Sequence, residues 1–321
     1  MIVGACRLVF NGVDPHPLVY SAPADTSGSP LTTHSGLPVS TASDRAPRGH
    51  HDDFTGNLII IGGAEDKYNE RHILRRFLRI SGGEEASILI VPVASEFPEV
   101  AAHVYENVFT ALGAAQVKSL HVAARGDALG IDPDALLDGV TGIFISGGDQ
   151  ARLAAKLGGT PLVEAIGERV RDGLVLAGSS AGAAGMSTSM IVRGRPTPGP
   201  YAEGVRLAQG LGILRNIIID QHFTQRHRIT RLITAVATNP INLGIGIDED
   251  TAIVVTNGML EVIGSGTVTI VDGSSISFSD IAEKQSRRPF ALCDLRIHIL
   301  NSSLRFDIHE RRPLEYLSEY R

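Results

Sequence analysis

Three stretches of the sequence carry residue types suited to acyl-transfer chemistry. The first is Gly178-Ser179-Ser180-Ala181-Gly182, which fits G-x-S-x-G, the nucleophile elbow. There a sharp strand-to-helix turn holds the serine with strained backbone angles, and its hydroxyl projects above the sheet. The N–H groups opening the helix stabilise an oxyanion. Ser180 is therefore a candidate nucleophile; an ordinary Gly-rich turn with a helix-capping serine gives the same string. The second stretch runs from Asp220 to Arg231, starting where the apolar run Ile217–Ile219 ends. Strand alternation puts Asp220 and His222 on one face. His222, at a strand end, is a candidate general base, the alternative being a histidine hydrogen-bonded within the fold. The third is Gly244–Ile253, with Asp248, Glu249 and Asp250. Read as a strand, it puts Glu249 on a face with Ile245, Ile247 and Ile253. A carboxylate on an apolar face needs a partner, and orienting a charged histidine is such a role. Glu249 is preferred to its acidic neighbours; the alternative is an acidic turn that breaks the strand.

Other residues suit binding. Residues 225–237 form a helical pattern with Ile229, Leu232, Ile233 and Val236 facing the core, and Arg226, Arg228 and Arg231 in its first turns. Cations there oppose the helix dipole. That points to an anionic partner, such as a carboxylate gripped in a bidentate fork; a solvated basic face is the alternative. The three arginines do not share one narrow stripe, so they need not all touch one group. Ser146-Gly147-Gly148-Asp149-Gln150 follows the run GIFI, and its glycines let backbone approach a ligand, with Gln150 as a substrate contact. Gly62-Gly63-Ala64-Glu65-Asp66 belongs to the same edge and helps shape the pocket. It is not a GxGxxG loop, and no Walker A pattern occurs.

The elements that must position these residues are legible as apolar runs. Leu58–Ile61, Ile88–Val93, Gly142–Ile145 and Leu174–Ala177 are short, Leu-rich or β-branched, and end at Gly, Pro or Ser. Such runs suit strands of a parallel sheet buried on both faces. Between them, residues 69–80 (with Ile73, Leu74, Phe77 and Leu78 on one stripe), 98–112 and 161–172 read as helices. The alternation predicts an α/β fold with a doubly wound, mostly parallel sheet, whose ligands bind at the carboxyl ends of the strands. Residues 252–271, 292–299 and 303–308 read as antiparallel strands extending or flanking that sheet. Residues 21–53 are dominated by Ser, Thr, Pro, Gly and Ala without apolar period. Residues 1–55 are thus expected to be a flexible extension, and residues 56–321 the α/β domain.

Composition narrows the classes. In 321 residues, 43% are hydrophobic and the net charge is −6, which excludes global disorder and argues against nucleic-acid binding through bulk positive charge. Two cysteines, Cys6 and Cys293, make neither a disulfide framework nor a zinc spacing, so no metal is expected. No run approaches the roughly 18 apolar residues of a membrane span, and the start lacks a signal-peptide pattern. The expectation is a soluble cytoplasmic enzyme in a reducing compartment.

Five segments, IIIGGAEDK, FISGGDQARL, AGSSAGAAGMS, DQHFTQRHRITRL and GIGIDEDTA, follow one another over about residues 58–253. Together they resemble the cyanophycinase family of serine peptidases. The resemblance implies a fold related to class I glutamine amidotransferases (flavodoxin-like), no cofactor, and a homodimer. It implies as substrate cyanophycin, a poly-aspartate backbone with arginine on each β-carboxyl, cleaved to β-aspartyl-arginine dipeptides. By the resemblance Ser180 is the nucleophile, His222 the base and Glu249 the acidic member. Gln150, Asp220, Gln221, Arg226, Arg228 and Arg231 match pocket positions, and Ser179 stands where the family often has threonine. The substrate partner is cyanophycin or a β-aspartyl peptide; an α-aspartyl dipeptidase or related small-peptide hydrolase is the second reading, and a non-catalytic binding protein of the same fold the third. The order Ser180, His222, Glu249 departs from the Ser, acid, His order of α/β-hydrolases. It disfavours an esterase unless a later histidine such as His298 is the base.

Overall fold

The apolar runs form strands because nothing in them favours water on either side. In the computed structural model, which describes residues 56–194, 197–283 and 288–314, they are β1 (Asn57–Ile61), β2 (Ser87–Val91), β4 (Gly142–Ile145) and β5 (Val175–Ser179), with β3 (Gln116–Ser119) beside β2. All five are parallel, in the order β3-β2-β4-β5-β1. Successive residues face opposite cores: Leu58, Ile60, Leu89, Ile143 and Leu176 enter one, and Ile59, Ile61, Ile88, Phe144 and Ala177 the other. The expected extension at residues 1–55 lies outside the described residues.

Helices cover both faces. α1 (His72–Ile80) and α2 (Pro98–Ala111) bury Ile73, Leu74, Phe77, Val108 and Phe109 on one side. Short α3 (Arg125–Leu129) and α4 (Pro133–Leu137) lead to β4. α5 (Gln150–Leu157) and α6 (Pro161–Arg171) bury Leu153, Leu157, Leu162 and Ile166 on the other side. Pro98 and Pro161 open their helices, where a missing N–H costs nothing. α7 (Ala181–Gly185) follows β5 directly.

The expected antiparallel strands form but divide between two sheets. β10 (Thr251–Thr256), β11 (Met259–Gly264), β16 (Arg305–Asp307) and β17 (Arg312–Pro313) extend the main sheet from β1. β12 (Val268–Asp272) and β15 (Arg296–Leu300) join β8 (Ile217–Gln221) and β9 (Leu243–Ile247) in a second sheet of order β15-β12-β9-β8. Ile219, Ile245, Ile247 and Ile270 turn that sheet's inner face into the α5–α6 side of the core. Its outer face, with Ile218 and Val271, packs on Leu232, Ala235 and Val236 of α8 (Ile229–Thr238). Two ribbons complete the described strands: β6 (Ser189–Gly194) with β7 (Val205–Gln209), and β13 (Phe278–Ser279) with β14 (Leu292–Cys293). The two larger sheets thus bring the ends of β1, β4, β5, β8 and β9 to one region.

Candidate active site

Ser180 sits between the last residue of β5 and the first of α7, at φ 53 and ψ −108. A non-glycine residue held there stores about 1–3 kcal/mol and persists only when its surroundings over-determine it. The Ser180 N–H donates to the Ile61 carbonyl (3.0 Å), and the Ser180 carbonyl accepts from the Ala184 N–H (3.0 Å). Gly182 lets α7 pack on β4, since a β-carbon there would collide with the Ile145 carbonyl.

His222 lies one residue beyond β8 at φ 47, so strand alternation does not set its direction. The expectation that it shares a strand face with Asp220 fails for that reason. Its N–H donates to the Gly62 carbonyl (2.8 Å). Its Nε2 is 2.9 Å from the Ser180 Oγ, and its Nδ1 is 2.6 Å from Glu249 Oε1. A carboxylate at Nδ1 keeps the proton there and leaves Nε2 to accept the serine hydroxyl. Burial holds the imidazole below its ordinary pKa, against the Glu249 hydrogen bond; the Arg226 and Arg228 charges lower it further.

Glu249 is not on a strand, contrary to the face argument. β9 ends at Ile247 and β10 starts at Thr251, so Asp248–Asp250 is a turn crossing between the two sheets. The Glu249 side chain is 37% exposed, which spares a buried carboxylate its desolvation cost. Asp248 instead accepts from Thr224 and Thr267. Asp250 accepts from the Asp66 N–H and the Ser265 hydroxyl. His298, the alternative base, lies on β15 with its ring 5.4 Å from that of Phe306; the Ser180 hydroxyl donates to His222 instead.

The binding candidates are arranged differently from expectation. The helix begins at Ile229; Arg226 ends a 3-10 turn, and Arg228 sits at the helix cap. The anionic partner of Arg228 and Arg231 is in the chain itself. Asp220 is 1% exposed, and Arg231 grips it through both a 2.6 Å Nε–Oδ2 bond and a short Nη2–Oδ1 bond. Arg228 Nη1 donates to Asp220 Oδ1 (3.2 Å) and to Gln221 Oε1 (2.9 Å), and burial lowers its pKa to about 10. Asp220, Gln221, Arg228 and Arg231 therefore satisfy one another in a buried cluster. Gln150 Nε2 donates to the Ile191 carbonyl (2.7 Å). Of the three arginines, only Arg226 is exposed. Among the described residues no cluster of His, Cys, Asp or Glu is arranged to hold a metal, and no helix is long and apolar enough to cross a membrane.

The sequence places Gly63 and Glu65 in a turn that helps shape the pocket but gives neither a role of its own, and it does not point to Tyr105. Gly63 packs against His222, and Glu65 lies buried against Tyr105 and Ser179. An acid two residues after a strand-ending Gly-Gly was the available signal for Glu65.

The sequence profile of Peptidase family S51 matches residues 58–263, a span that holds Ser180, His222 and Glu249. A cyanophycinase of Geminocystis herdmanii (strain PCC 6308) is 42% identical over 265 residues, covering 82% of this chain and 97% of that protein. A cyanophycinase of Synechococcus elongatus is 39% identical over 300 residues, covering 88% of this chain and 93% of that protein. Among solved structures, a peptidase from an acI-B1 Actinobacterium is similar at a TM-score of 0.55 and 27% identity, over 69% of this chain and 93% of that one.

Proposed function

This chain belongs to peptidase family S51, and we propose that it is a serine-type exopeptidase that hydrolyses cyanophycin to β-aspartyl-arginine dipeptides. The observation that carries the chemistry is the continuous hydrogen-bonded line from Ser180 Oγ through His222 to Glu249, at 2.9 and 2.6 Å. The cyanophycinases matched over most of this chain support the substrate.

In this reading Ser180 Oγ attacks the scissile carbonyl carbon as His222 Nε2 takes its proton. Glu249 stabilises the resulting imidazolium. The oxyanion meets the Ala181 N–H at the start of α7 and the Gly147–Gly148 turn; a β-carbon on Gly147 would lie 3.9 Å from the serine oxygen. Collapse breaks the C–N bond, and His222 returns its proton to the leaving amine. Water then attacks the acyl-enzyme with His222 again as base, freeing Ser180. Exposed Arg226, close enough to lower the His222 pKa, is the guanidinium available to a substrate carboxylate.

The test is incubation with cyanophycin and, separately, with α-aspartyl dipeptides, with products identified by mass. β-Aspartyl-arginine released from the polymer is expected, and Ser180→Ala should abolish it by several orders of magnitude while the protein stays folded. Cleavage of the dipeptides alone would move the assignment to a small-peptide hydrolase. Near-normal turnover by folded Ser180→Ala would remove Ser180 as nucleophile.

A further inference from the structure

Glu65 is a buried carboxylate that the proposed reaction leaves unused. Its side chain is 1% exposed, and three donors converge on it. The Tyr105 hydroxyl is 2.5 Å from Oε1, the Lys67 ammonium 2.9 Å from the same oxygen, and the Ser179 hydroxyl 2.6 Å from Oε2. A carboxylate is tolerated there because both oxygens are paired. Burial, with the Glu65 charge beside it, holds the Tyr105 phenol well above its usual pKa, so it stays a donor. Closed off from solvent, Glu65 is out of a substrate's reach.

Its loop, however, touches each reacting segment in turn. The Ile61 carbonyl accepts from the Ser180 N–H (3.0 Å), the Gly62 carbonyl from the His222 N–H (2.8 Å), and the Gly63 carbonyl from the N–H of Asp250, next to Glu249 (2.9 Å). Gly63 and Ala64 both have positive φ, 98 and 50, so the loop reverses sharply at that point and needs an anchor beyond it. Glu65 is that anchor, and it ties the loop to Ser179, the residue before the nucleophile.

We propose that Glu65 is a positioning residue for Ser180. Through the Ser179 hydroxyl it locks the loop after β1 to the elbow, and so fixes Ser180 against His222. The inference rests on the reading of Ser180 as nucleophile, but not on which peptide is cleaved.

The test compares wild type, Ser179→Ala, Glu65→Gln, Glu65→Ala and the double variant Glu65→Ala/Ser179→Ala. One readout is kcat and KM on cyanophycin. The other is the rate at which an alkyl fluorophosphonate labels Ser180: Oγ bonds to phosphorus, fluoride leaves with the P–F electron pair, and the hydroxyl proton passes to His222. Ser179→Ala and Glu65→Ala are each expected to slow labelling and kcat at least tenfold, with KM within twofold. The double variant should be no slower than Glu65→Ala, because both changes break one bond. Glu65→Gln, which still offers Tyr105 an acceptor and Ser179 a partner, should recover most of the rate. Folded Ser179→Ala labelled at the wild-type rate overturns the proposal, as do losses that multiply in the double variant. Should wild type label normally and the variants slowly while cyanophycin stays intact, the positioning role stands and the substrate assignment falls.

Discussion

His222 rests against the bare backbone of Gly63: a β-carbon there would stand 2.5 Å from His222 Cε1, 2.6 Å from Nε2 and 3.1 Å from the Ser180 Cβ. Gly63 also sits at φ 98, a region that side chains disfavour. Gly63→Ala should therefore push the imidazole off the serine. A misplacement near 1 Å costs about 100-fold in rate, and a loss of that size in kcat/KM is expected from protein that still unfolds cooperatively. Unchanged kcat in folded Gly63→Ala would show that the ring adjusts and that the contact sets no catalytic distance.

The pH profile should report His222. The base acts only when neutral, and burial lowers its pKa, so kcat/KM should be full at neutral pH and fall as pH drops through that lowered value. Two substitutions should move this acid limb in opposite directions. Arg226→Gln removes a charge that lowers the pKa, so the limb moves to higher pH. Glu249→Gln removes the carboxylate charge that raises it, so the limb moves to lower pH, with kcat reduced as the imidazolium loses its counter-charge. Movement of both in one direction would mean that another group controls the limb.

Much of this arrangement is written in local pattern. β1, β2, β4 and β5 are readable because strands buried on both faces carry no polar alternation. Ser180 is readable because the elbow needs small residues on both sides. The remainder depends on long-range encounters. Glu65 meets Ser179 and Tyr105 across 114 and 40 positions of sequence, and no local period announces that. Asp220 and Arg231 look like separate charges until the chain reverses at His222 and His227, both at positive φ, near 50. Glu249 reads as a strand residue because the alternation of Ile245 and Ile247 runs straight into it. The change of sheet after Ile247 is a tertiary event. For the same reason the C-terminal strands are legible as strands, whereas their division between two sheets is not.

The arginines after His222 should separate into two kinds. Arg231→Met would leave the buried Asp220 carboxylate with only the 3.2 Å contact from Arg228, at a cost approaching the roughly 3–5 kcal/mol of removing one partner of a buried pair. Tm should drop sharply, and cleavage of the polymer and of a small activated ester should be lost together. Arg226 is exposed, so Arg226→Gln should leave Tm nearly unchanged and raise KM for the polymer, with little effect on the ester above the acid limb. An Arg231→Met protein of wild-type Tm that fails only on the polymer would reverse this division and make Arg231 the recognition group.

Asp248 should prove to hold the His222–Glu249 pair together from below. It is 5% exposed. Oδ1 accepts from the Thr224 N–H (3.0 Å) and hydroxyl (2.7 Å), and Oδ2 from the Thr267 N–H (3.1 Å) and hydroxyl (2.8 Å). Thr224 lies two residues after His222, and Asp248 one before Glu249, so a single carboxylate clamps the two segments whose side chains meet at 2.6 Å. Asp248→Asn keeps the volume but turns an NH2 toward two of the four donors. The threonine hydroxyl can rotate to accept, but the backbone N–H cannot. An unsatisfied buried donor costs about 1–3 kcal/mol, so a lower Tm is expected. If the clamp also sets the catalytic pair, the downfield NMR resonance of the His222 Nδ1 proton should shift or broaden, and kcat should fall with KM little changed. A lower Tm with that resonance and kcat both intact would confine Asp248 to stabilising the fold. The His222–Glu249 distance would then be set on the other side of the pair, by the Gly62 and Gly63 carbonyls that receive the His222 and Asp250 N–H groups.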